Sequence, residues 1–275
     1  MNRALYLIGF SNKQLVLSDE LSWLCFSGVE HCDYRSIRFW FKEMDRSDFE
    51  GAEAERNLAN IEWLTPLVLA HDAAVSALSS QSPFYPARFG TLFSSEERIF
   101  ELIDAVGPTL QTFLDSLGKQ REWGIKCFVN WPNVNTAYVL DHEDDAIPLS
   151  TTGTNYLKAR QMKKVRDAAI QAWMIEKLEV VRGTLQTRFA ETVERSIPKK
   201  PDDDKTQKED REWVGNFALL ANEDQAADLM SVLAETGQPT IFGNSVRAIE
   251  LLSFEMTGPW PAYSFSPSLV PESET

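Results

Sequence analysis

The chain has 275 residues, of which 43% are hydrophobic and 11% aromatic, enough to build one large or two ordinary globular domains. Its 27 Lys and Arg residues face 41 Asp and Glu residues, and the net charge of -14 excludes a protein-wide nucleic-acid surface, because phosphate backbones require a basic one. Since no stretch reaches ~18 uncharged apolar residues and no basic leader precedes a cleavage site, we expect a cytoplasmic protein with no membrane span and no nucleic-acid partner.

The cysteines and histidines are too scattered for a metal site or a redox motif. Cys25, Cys32 and Cys127 lack the paired close spacing of such motifs, which favours buried thiols in a reducing cytosol. His31 and Cys32 are adjacent, but two potential ligands without a second pair make a weak metal site. We therefore predict no metal.

The first half of the chain begins with strand signals. The continuous apolar run at residues 4–10 is typical of a strand buried on both faces. Residues 21–30 and 34–41 are rich in aromatic and β-branched residues, and the polar link at residues 31–33 predicts that they pair as a hairpin.

Two helices should follow the hairpin. Residues 53–63 form the first predicted helix, and Thr65 is the expected N-cap of a second helix in which Pro66 takes the first position. His71 flanks the apolar stripe of that helix, and we favour a structural role for it over a catalytic one.

An arginine then interrupts an apolar run. Residues 86–93 (PARFGTLF) predict one strand, with Gly90 marking a bulge or a close backbone approach. Arg88 could bind a ligand, or it could form an ion pair with a carboxylate such as Glu62 or Glu96, and we favour the ion pair.

The domain boundary is expected just after the next helix. Ser94 and Glu97 fit a capping box at its start, and Gly118 should end it. We predict an N-terminal α+β domain over residues 1–119 and a C-terminal domain over residues 120–275.

The second domain opens with a strand at residues 121–130, in which Trp123 belongs to the inward-facing set. We predict that residues 131–148 form a solvated acidic loop. A cation site is the alternative, but the spaced ligands that such a site needs are missing. A helix over about residues 151–196 follows, then a charged loop at 198–210 and a strand at 212–221. Asn222 and Gln225 should cap a further helix.

The long helix is basic at its front, unlike the chain as a whole. Residues 151–197 hold nine Lys and Arg residues against five Asp and Glu residues, and four of the cations lie close together: Lys158, Arg160, Lys163 and Lys164. Such a front could attract an acidic partner or a phosphate, or it could be a solvated face that partners the acidic loop before it.

The order of these elements predicts the fold class. Strand, long helix, strand, helix and strand resemble a ferredoxin-like α+β sheet with an oversized helical insertion and a displaced strand. Neither half contains a phosphate loop, a dinucleotide glycine pattern or a nucleophile elbow. We therefore predict a two-domain α+β protein that is not an enzyme and needs no cofactor.

The last strand signal, at residues 247–256, leads into a rigid aromatic segment, GPWPAYSF at residues 258–265. Its two prolines fix φ, Gly258 permits a turn, and three aromatic side chains lie on a backbone with little freedom left to lose. This composition suits docking and not chemistry.

Four strings together resemble a known family: PARFGTLF (86–93), REWGIKCFV (121–129), GTNYLKAR (153–160) and GPWPAYSF (258–265). They stand in the order and spacing of the gas vesicle accessory proteins GvpF and GvpL, and the helix around AHDAAV (70–75) is similar as well. Three departures are Ala87 in place of a bulkier residue, Ala262 in place of a second proline, and a longer charged loop. The shared structural motif comprises Arg88, Gly90, Trp123, Gly258, Pro259 and Pro261.

This resemblance implies a two-domain α+β protein with a modified ferredoxin-like C-terminal domain and a non-enzymatic role in forming gas vesicles. It also implies that the protein associates with gas vesicles and binds the small hydrophobic shell protein GvpA and other accessory proteins. We expect Trp260 and Tyr263, together with the basic helix front, to contact a partner, unless Trp260 instead fills the core between the sheet and the long helix. The alternative function is a cytosolic regulatory or small-ligand-binding module.

Overall fold

The computed structural model describes residues 3–14, 28–141, 153–198, 211–237 and 251–269. The chain forms two compact units, one comprising Met1–Glu122 with Pro259–Thr275, and the other comprising Trp123–Gly258. Helices are combined with antiparallel strand pairs in both units, so the predicted α+β class is confirmed. The first unit includes the last stretch of the chain, which the sequence analysis assigned to the C-terminal domain.

The first unit is built on a five-stranded sheet. Strand β1 (Arg3–Asn12) pairs antiparallel with β3 (Ile37–Asp45), which in turn pairs with β2 (Val29–Tyr34). Eight consecutive residues of β1, from Ala4 to Ser11, are buried, which confirms the strand expected from its continuous apolar run. The order of the sheet is β2-β3-β1-β4, and β5 also pairs with β1.

The predicted hairpin exists, but its turn lies elsewhere. The turn is at Arg35 and Ser36, and Arg35 adopts a positive φ of 55° there. Residues 31–33, expected to form the link, lie inside β2, where Asp33 and Arg38 form an ion pair of 2.6 Å across the strand pair. The polar residues of β2 resemble those of a loop, because one face of this edge strand is exposed to solvent. Most of the predicted strand at 21–30 lies outside the described residues.

The single strand predicted at residues 86–93 is also wrong. Two short strands, β4 (Phe84–Pro86) and β5 (Leu92–Phe93), pair with different parts of β1, and a turn separates them. Gly90 adopts a φ of 83° in this turn, with open space where a side chain would begin. The register irregularity and the close approach expected there occur instead at Gly9 in β1, where a Cβ would overlap the carbonyl oxygen of Tyr85.

The described part of this unit contains three α-helices, α1 (Gly51–Ala59), α2 (Ile61–Gln81) and α3 (Glu96–Leu117), of which α2 and α3 contact β1. The N-cap of α2 is Asn60 and not Thr65, because the Asn60 side chain accepts hydrogen bonds from the backbone of the first turn. The N-cap of α3 is Ser95, one residue after the predicted Ser94, and Gly118 ends α3 as predicted with a φ of 49°.

In the residues that the structure describes, the second unit has four strands and three helices. They are β6 (Arg121–Asn130), α4 (Trp131–Asp141), α5 (Gly153–Arg188), β7 (Thr192–Glu194), β8 (Arg211–Ala221), α6 (Glu223–Gly237) and β9 (Leu252–Trp260). The sheet has the order β7-β8-β6-β9. The ferredoxin-like description of this unit stays a prediction, which the element sequence and this strand order support.

Two expectations for this unit are corrected and one is confirmed. Residues 131–141 form helix α4 and not a loop, whereas 142–150 lie outside the described residues. Helix α5 ends at Arg188, earlier than predicted, because the chain turns and pairs as β7 with β8. The Asn222 cap is confirmed, since the Asn222 and Gln225 side chains each accept a hydrogen bond from the other residue's backbone N–H.

The core of the second unit lies between its sheet and helices. The β6 side chains Ile125, Cys127 and Val129 pack with residues of α5 such as Val181 and Leu185. Burial extends over nearly all of β6, so the alternation expected from its sequence is absent. Strand β6 lies between β8 and β9 in the sheet, and its continuous burial is typical of such an inner strand.

Candidate functional site

A buried hydrogen-bonded cluster centred on His71 lies in the first unit. His71 is 5% exposed, and its Nδ1 atom lies 2.9 Å from the hydroxyl of Tyr6 in β1. Its Nε2 atom lies 3.1 Å from the carbonyl oxygen of Ala87, and the backbone N–H of Gly90 donates to the Tyr6 hydroxyl at 3.3 Å. These contacts assign the tautomer: Nε2–H donates to Ala87, and Nδ1 accepts from Tyr6.

The segment after β9 joins this cluster. The Tyr263 hydroxyl lies 3.3 Å from Nε2 of His71, so Nε2–H forms a bifurcated hydrogen bond with Tyr263 and Ala87 as its two acceptors. Pro261 and Ala262 just before it are buried. We name the set of His71, Tyr6, Gly90, Ala87 and Tyr263 the His71 cluster; it brings together three of the similar strings, at residues 70–75, 86–93 and 258–265.

Further contacts hold the same segment in the first unit. Glu122 is 3% exposed and accepts hydrogen bonds from the backbone N–H of Ser264 at 2.8 Å and from the Ser264 hydroxyl at 3.2 Å. The Tyr85 hydroxyl donates to the carbonyl oxygen of Pro267 at 2.9 Å. The aromatic segment is therefore anchored by its side chains and its backbone in the unit that contains β1.

The His71 cluster is electrically neutral near neutral pH. Burial lowers the pKa of His71, against an opposing effect of its hydrogen bond to Ala87. Burial raises the pKa of Tyr6 to about 12 and also raises the pKa of Tyr263, which the nearby Asp72 carboxylate raises further. Both ring nitrogens of His71 and the Tyr6 hydroxyl thus have hydrogen-bond partners in their uncharged forms, which favours a structural role for the cluster and agrees with the role expected for His71.

Arg88 has a different environment from the favoured prediction. None of the ion pairs among the described residues involves Arg88, so the pairs expected with Glu62 and Glu96 are not observed there. The side chain is exposed and lines a cavity of about 420 Å³ next to Tyr85.

Trp260 is not a core residue. Its side chain is 45% exposed at the end of β9, so the alternative that it fills the core is wrong. Gly258 adopts a φ of 123° within the same strand, which only glycine accommodates without strain, and Pro259 follows it. The motif therefore has two parts, with Gly258, Pro259 and Trp260 in the strand and the residues from Pro261 onward packed in the first unit.

Trp123 is the buried anchor of β6, as its expected inward orientation requires. Its indole Nε1–H donates to the carbonyl oxygen of Ala221 in β8 at 3.2 Å, which satisfies the polar atom of a side chain that is otherwise apolar. The adjacent Gly124 allows close strand packing, because a Cβ there would lie 2.7 Å from the Thr257 hydroxyl oxygen. Both residues thus hold β6 to its neighbours.

The basic front of α5 is exposed. The side chains of Arg160, Lys163 and Lys164 lie in solvent, as do the apolar side chains of Met162 and Val165 between them. Lys158 belongs to the helix, but its side chain lies outside the described residues. We name residues 158–166 the α5 front; it places exposed cations around an exposed apolar pair.

A second exposed surface, which the sequence analysis missed, lies on α2. Ile61 is 75% exposed and Leu69 is 62% exposed, and Val68 is exposed beside them. Their spacing of seven and eight residues places them near one another along the first half of the helix, where most residues are exposed, whereas the buried residues, including His71, lie in its second half. We name Ile61, Val68 and Leu69 the α2 outer face; its signal in the sequence was a helix that is apolar on nearly every side.

Tyr6 and Glu122 were also missed as partners of the predicted residues. Tyr6 lies in a run of buried apolar residues, where a tyrosine hydroxyl requires a hydrogen-bond partner, and a carboxylate in the mostly apolar β6 requires one as well. Those two requirements were the available signals. Their partners come from segments distant in sequence, which a single sequence does not reveal.

The described ranges contain no cluster of three or more His, Cys, Asp or Glu side chains placed to hold a metal ion. No helix in those ranges has the length and apolarity needed to cross a membrane. Cys32 and Cys127 are free thiols, and burial raises the pKa of Cys127 to about 12, whereas Cys25 lies outside the described residues.

Comparison with known families decides the identity of this fold. A family model described as gas vesicle synthesis protein GvpL/GvpF matches residues 5–267. The chain belongs to this family. The GvpL/GvpF match spans the His71 cluster, both exposed surfaces and the aromatic segment, and it confirms the resemblance drawn from the four strings.

Individual GvpL/GvpF relatives are distant in sequence. Gas vesicle protein L of Streptomyces sp. (strain CB03234) is 24% identical over 220 residues, which cover 80% of this chain and 76% of the relative. The crystal structure of GvpF from Microcystis aeruginosa has a TM-score of 0.54 at 19% identity and covers 96% of this chain and 99% of that one. GvpF from Anabaena sp. PCC7120 has a TM-score of 0.58 at 16% identity, with 97% of each chain covered. The two structures share the fold, and family membership supports an accessory role in gas vesicles.

Proposed function

We propose that the protein acts in gas vesicle assembly by binding the small hydrophobic shell protein GvpA and preventing its aggregation before incorporation. The family match over residues 5–267 supports a place in this process. A shell subunit with exposed apolar surface requires a soluble partner that covers it, and a carrier with a charge of -14 stays soluble while doing so. The protein would then associate with gas vesicles as they form in the cytoplasm.

The α2 outer face is the observation that carries this proposal. Large apolar side chains seldom gather on the exposed side of a helix unless a partner covers them. Here Ile61 and Leu69 are each more than half exposed, and Leu58 at the end of α1 is exposed as well. A surface of this kind suits an apolar partner segment better than a charged or polar one.

Other exposed groups are proposed as secondary contacts. Trp260 offers an indole ring at the surface, and the ring of Tyr263 is part-exposed although its hydroxyl belongs to the His71 cluster. The α5 front, with Lys158, Arg160, Lys163 and Lys164, is suited to an acidic accessory protein. We propose no catalytic step and no cofactor for this role, because the buried histidine is neutral and fully hydrogen-bonded.

The test measures light scattering while purified GvpA is diluted from denaturant in the presence of this protein. The wild-type protein should suppress scattering at near-stoichiometric ratios, and Ile61→Gln/Leu69→Gln should lose most of that effect. Glutamine keeps helix propensity high, so α2 should stay folded. The matched control is Ile175→Gln/Val180→Gln, which removes two comparably exposed apolar side chains from α5.

Equal suppression by both double variants and the wild-type protein would contradict binding through the α2 outer face. Absence of any suppression or capture of GvpA by the wild-type protein would contradict the proposed function itself. Trp260→Ala measured in parallel tests the secondary contact, for which we expect a loss of about twofold to tenfold in apparent affinity.

A further inference from the structure

The first unit contains a cavity large enough for a small molecule. Its volume is about 420 Å³, within the range of roughly 300–1,000 Å³ that is usual for ligand sites. Strand β1, the turn between β4 and β5, helix α3 and the segment after Tyr263 all contribute to its wall. The lining is largely apolar, and it includes Leu7, Phe93, Leu102 and Leu269.

Three of the hydroxyl groups around this cavity already donate to backbone oxygens. Tyr85 donates to Pro267 at 2.9 Å, and Thr91 donates to Arg88 at 2.7 Å. Ser266 donates to Ala262 at 2.8 Å. These side chains therefore build the wall and offer no spare hydroxyl proton to a ligand.

Arg88 is the one cation among the described residues of this wall. Its guanidinium group carries five N–H donors and a permanent charge, and within the described ranges no carboxylate forms an ion pair with it. Such isolation is unusual in a chain with 41 Asp and Glu residues. A lone guanidinium at the wall of an apolar cavity is suited to an anion that carries an apolar group.

We propose that this cavity binds a small monocarboxylate, with the carboxylate on Arg88 and the apolar body against Leu7, Phe93 and Leu102. A carboxylate matches the planar fork of a single guanidinium. A phosphate dianion would bring a second charge into a wall whose described residues include no second cation to balance it. The proposal concerns a site that the binding of shell protein does not require.

The test is a calorimetric titration of the full-length protein with octanoate. The wild-type protein should bind one octanoate saturably, and Arg88→Gln should weaken that binding at least about tenfold, because a charged hydrogen-bonded pair is lost. Arg88→Lys should fall between the two. Arg98→Gln is the matched control, since it removes another exposed arginine of the first unit that pairs with Glu101, and it should bind as the wild-type protein does.

Three further probes test the ligand class and the place of binding. Octyltrimethylammonium, 1-octanol and octyl phosphate share the apolar chain, and each should bind at least about tenfold more weakly than octanoate. The methyl signals of Leu102 should shift during the octanoate titration, and in Arg88→Gln the same shift should require at least about tenfold more octanoate. The proposal is overturned if octanoate does not bind, if Arg88→Gln binds it as tightly as Arg98→Gln does, or if the cationic probe binds as well as octanoate. No shell protein enters these measurements, so their outcome is independent of the function proposed above.

Discussion

The His71 cluster in the first unit and the α5 front in the second both gather polar side chains, but one is buried and the other lies in solvent. In the cluster, His71, Tyr6 and Tyr263 satisfy one another in uncharged form. On the α5 front, the side chains of Lys163 and Lys164 are exposed to water. Removing a member of the first group should cost stability, whereas changing the second should leave stability intact and alter binding.

The largest expected effect is that of His71→Leu. Leucine leaves the proton of the buried Tyr6 hydroxyl without an acceptor and the Ala87 carbonyl oxygen without its imidazole donor, so the free energy of unfolding should fall by about 2–4 kcal/mol. Thermal or urea unfolding measures this. His31→Leu is the control, because His31 is exposed on β2, and its cost should stay below about 1 kcal/mol. Equal costs would remove the distinction between a buried and an exposed histidine.

Glu122→Gln is expected to have the next largest effect. Glutamine retains only one of the two side-chain oxygens that accept hydrogen bonds from Ser264 and has an amide nitrogen in place of the other, so stability should fall by about 1–3 kcal/mol. The amide proton of Ser264 should also exchange faster with solvent. An unchanged exchange rate would mean that this carboxylate does not hold the segment after β9.

The pH dependence of stability should report the neutral state of His71. Its pKa is lowered in the folded protein, so the unfolded chain takes up the proton first as the pH falls. The stability due to His71 is therefore complete above an unfolded pKa of about 6.5 and declines below it, by up to about 1.4 kcal/mol per pH unit. Chemical unfolding between pH 7.5 and 5.5 measures how the free energy of unfolding changes with pH. The slope should be smaller in His71→Leu, because the contribution of His71 is absent. A slope that this substitution leaves unchanged would contradict the assignment.

Tyr263→Phe should cost less, about 1 kcal/mol, because only one shared hydrogen bond to His71 is lost while the ring remains. Unfolding measurements on this variant should place it between His71→Leu and the wild-type protein. A loss as large as that of His71→Leu would instead make Tyr263 the centre of the cluster.

The smallest change in stability is expected on the α5 front. Lys163→Glu/Lys164→Glu should shift the free energy of unfolding by no more than about 0.5 kcal/mol, because both side chains are exposed. Capture of acidic accessory proteins should nevertheless fall at low salt, where charge attraction is strongest. A marked loss of stability would show that the front packs against the rest of its unit.

Local patterns predicted several elements well. The apolar run of β1, the long helix α5 and the Asn222 cap each depend on residues within one stretch, where propensity and burial act together. The turn of the first hairpin and helix α4 were missed, because exposed polar residues look alike in an edge strand, a helix and a loop. Residues 86–93 were read as one strand because their apolar content was clear and the turn at Gly90 was not.

Some features of the candidate sites were also predictable from local sequence patterns, and others were not. Exposure of the α5 front followed from its charge, since a run of lysines and arginines is seldom buried. The hydrogen-bond partners of His71 and the isolation of Arg88 did not follow from any local pattern. Both depend on segments that lie far apart in the chain, such as residues 6, 71 and 263.

The sequence by itself determined the α+β class, the membership suggested by four strings, and the rigidity of the aromatic segment, because these depend on local composition and order. Only the tertiary structure decided what that segment does. Trp260 ends a strand with its ring exposed, whereas Tyr263 and Ser264 bind partners in the first unit. The physical reason is that a buried polar atom must find a partner wherever the fold provides one, and here the partners come from residues more than a hundred positions earlier.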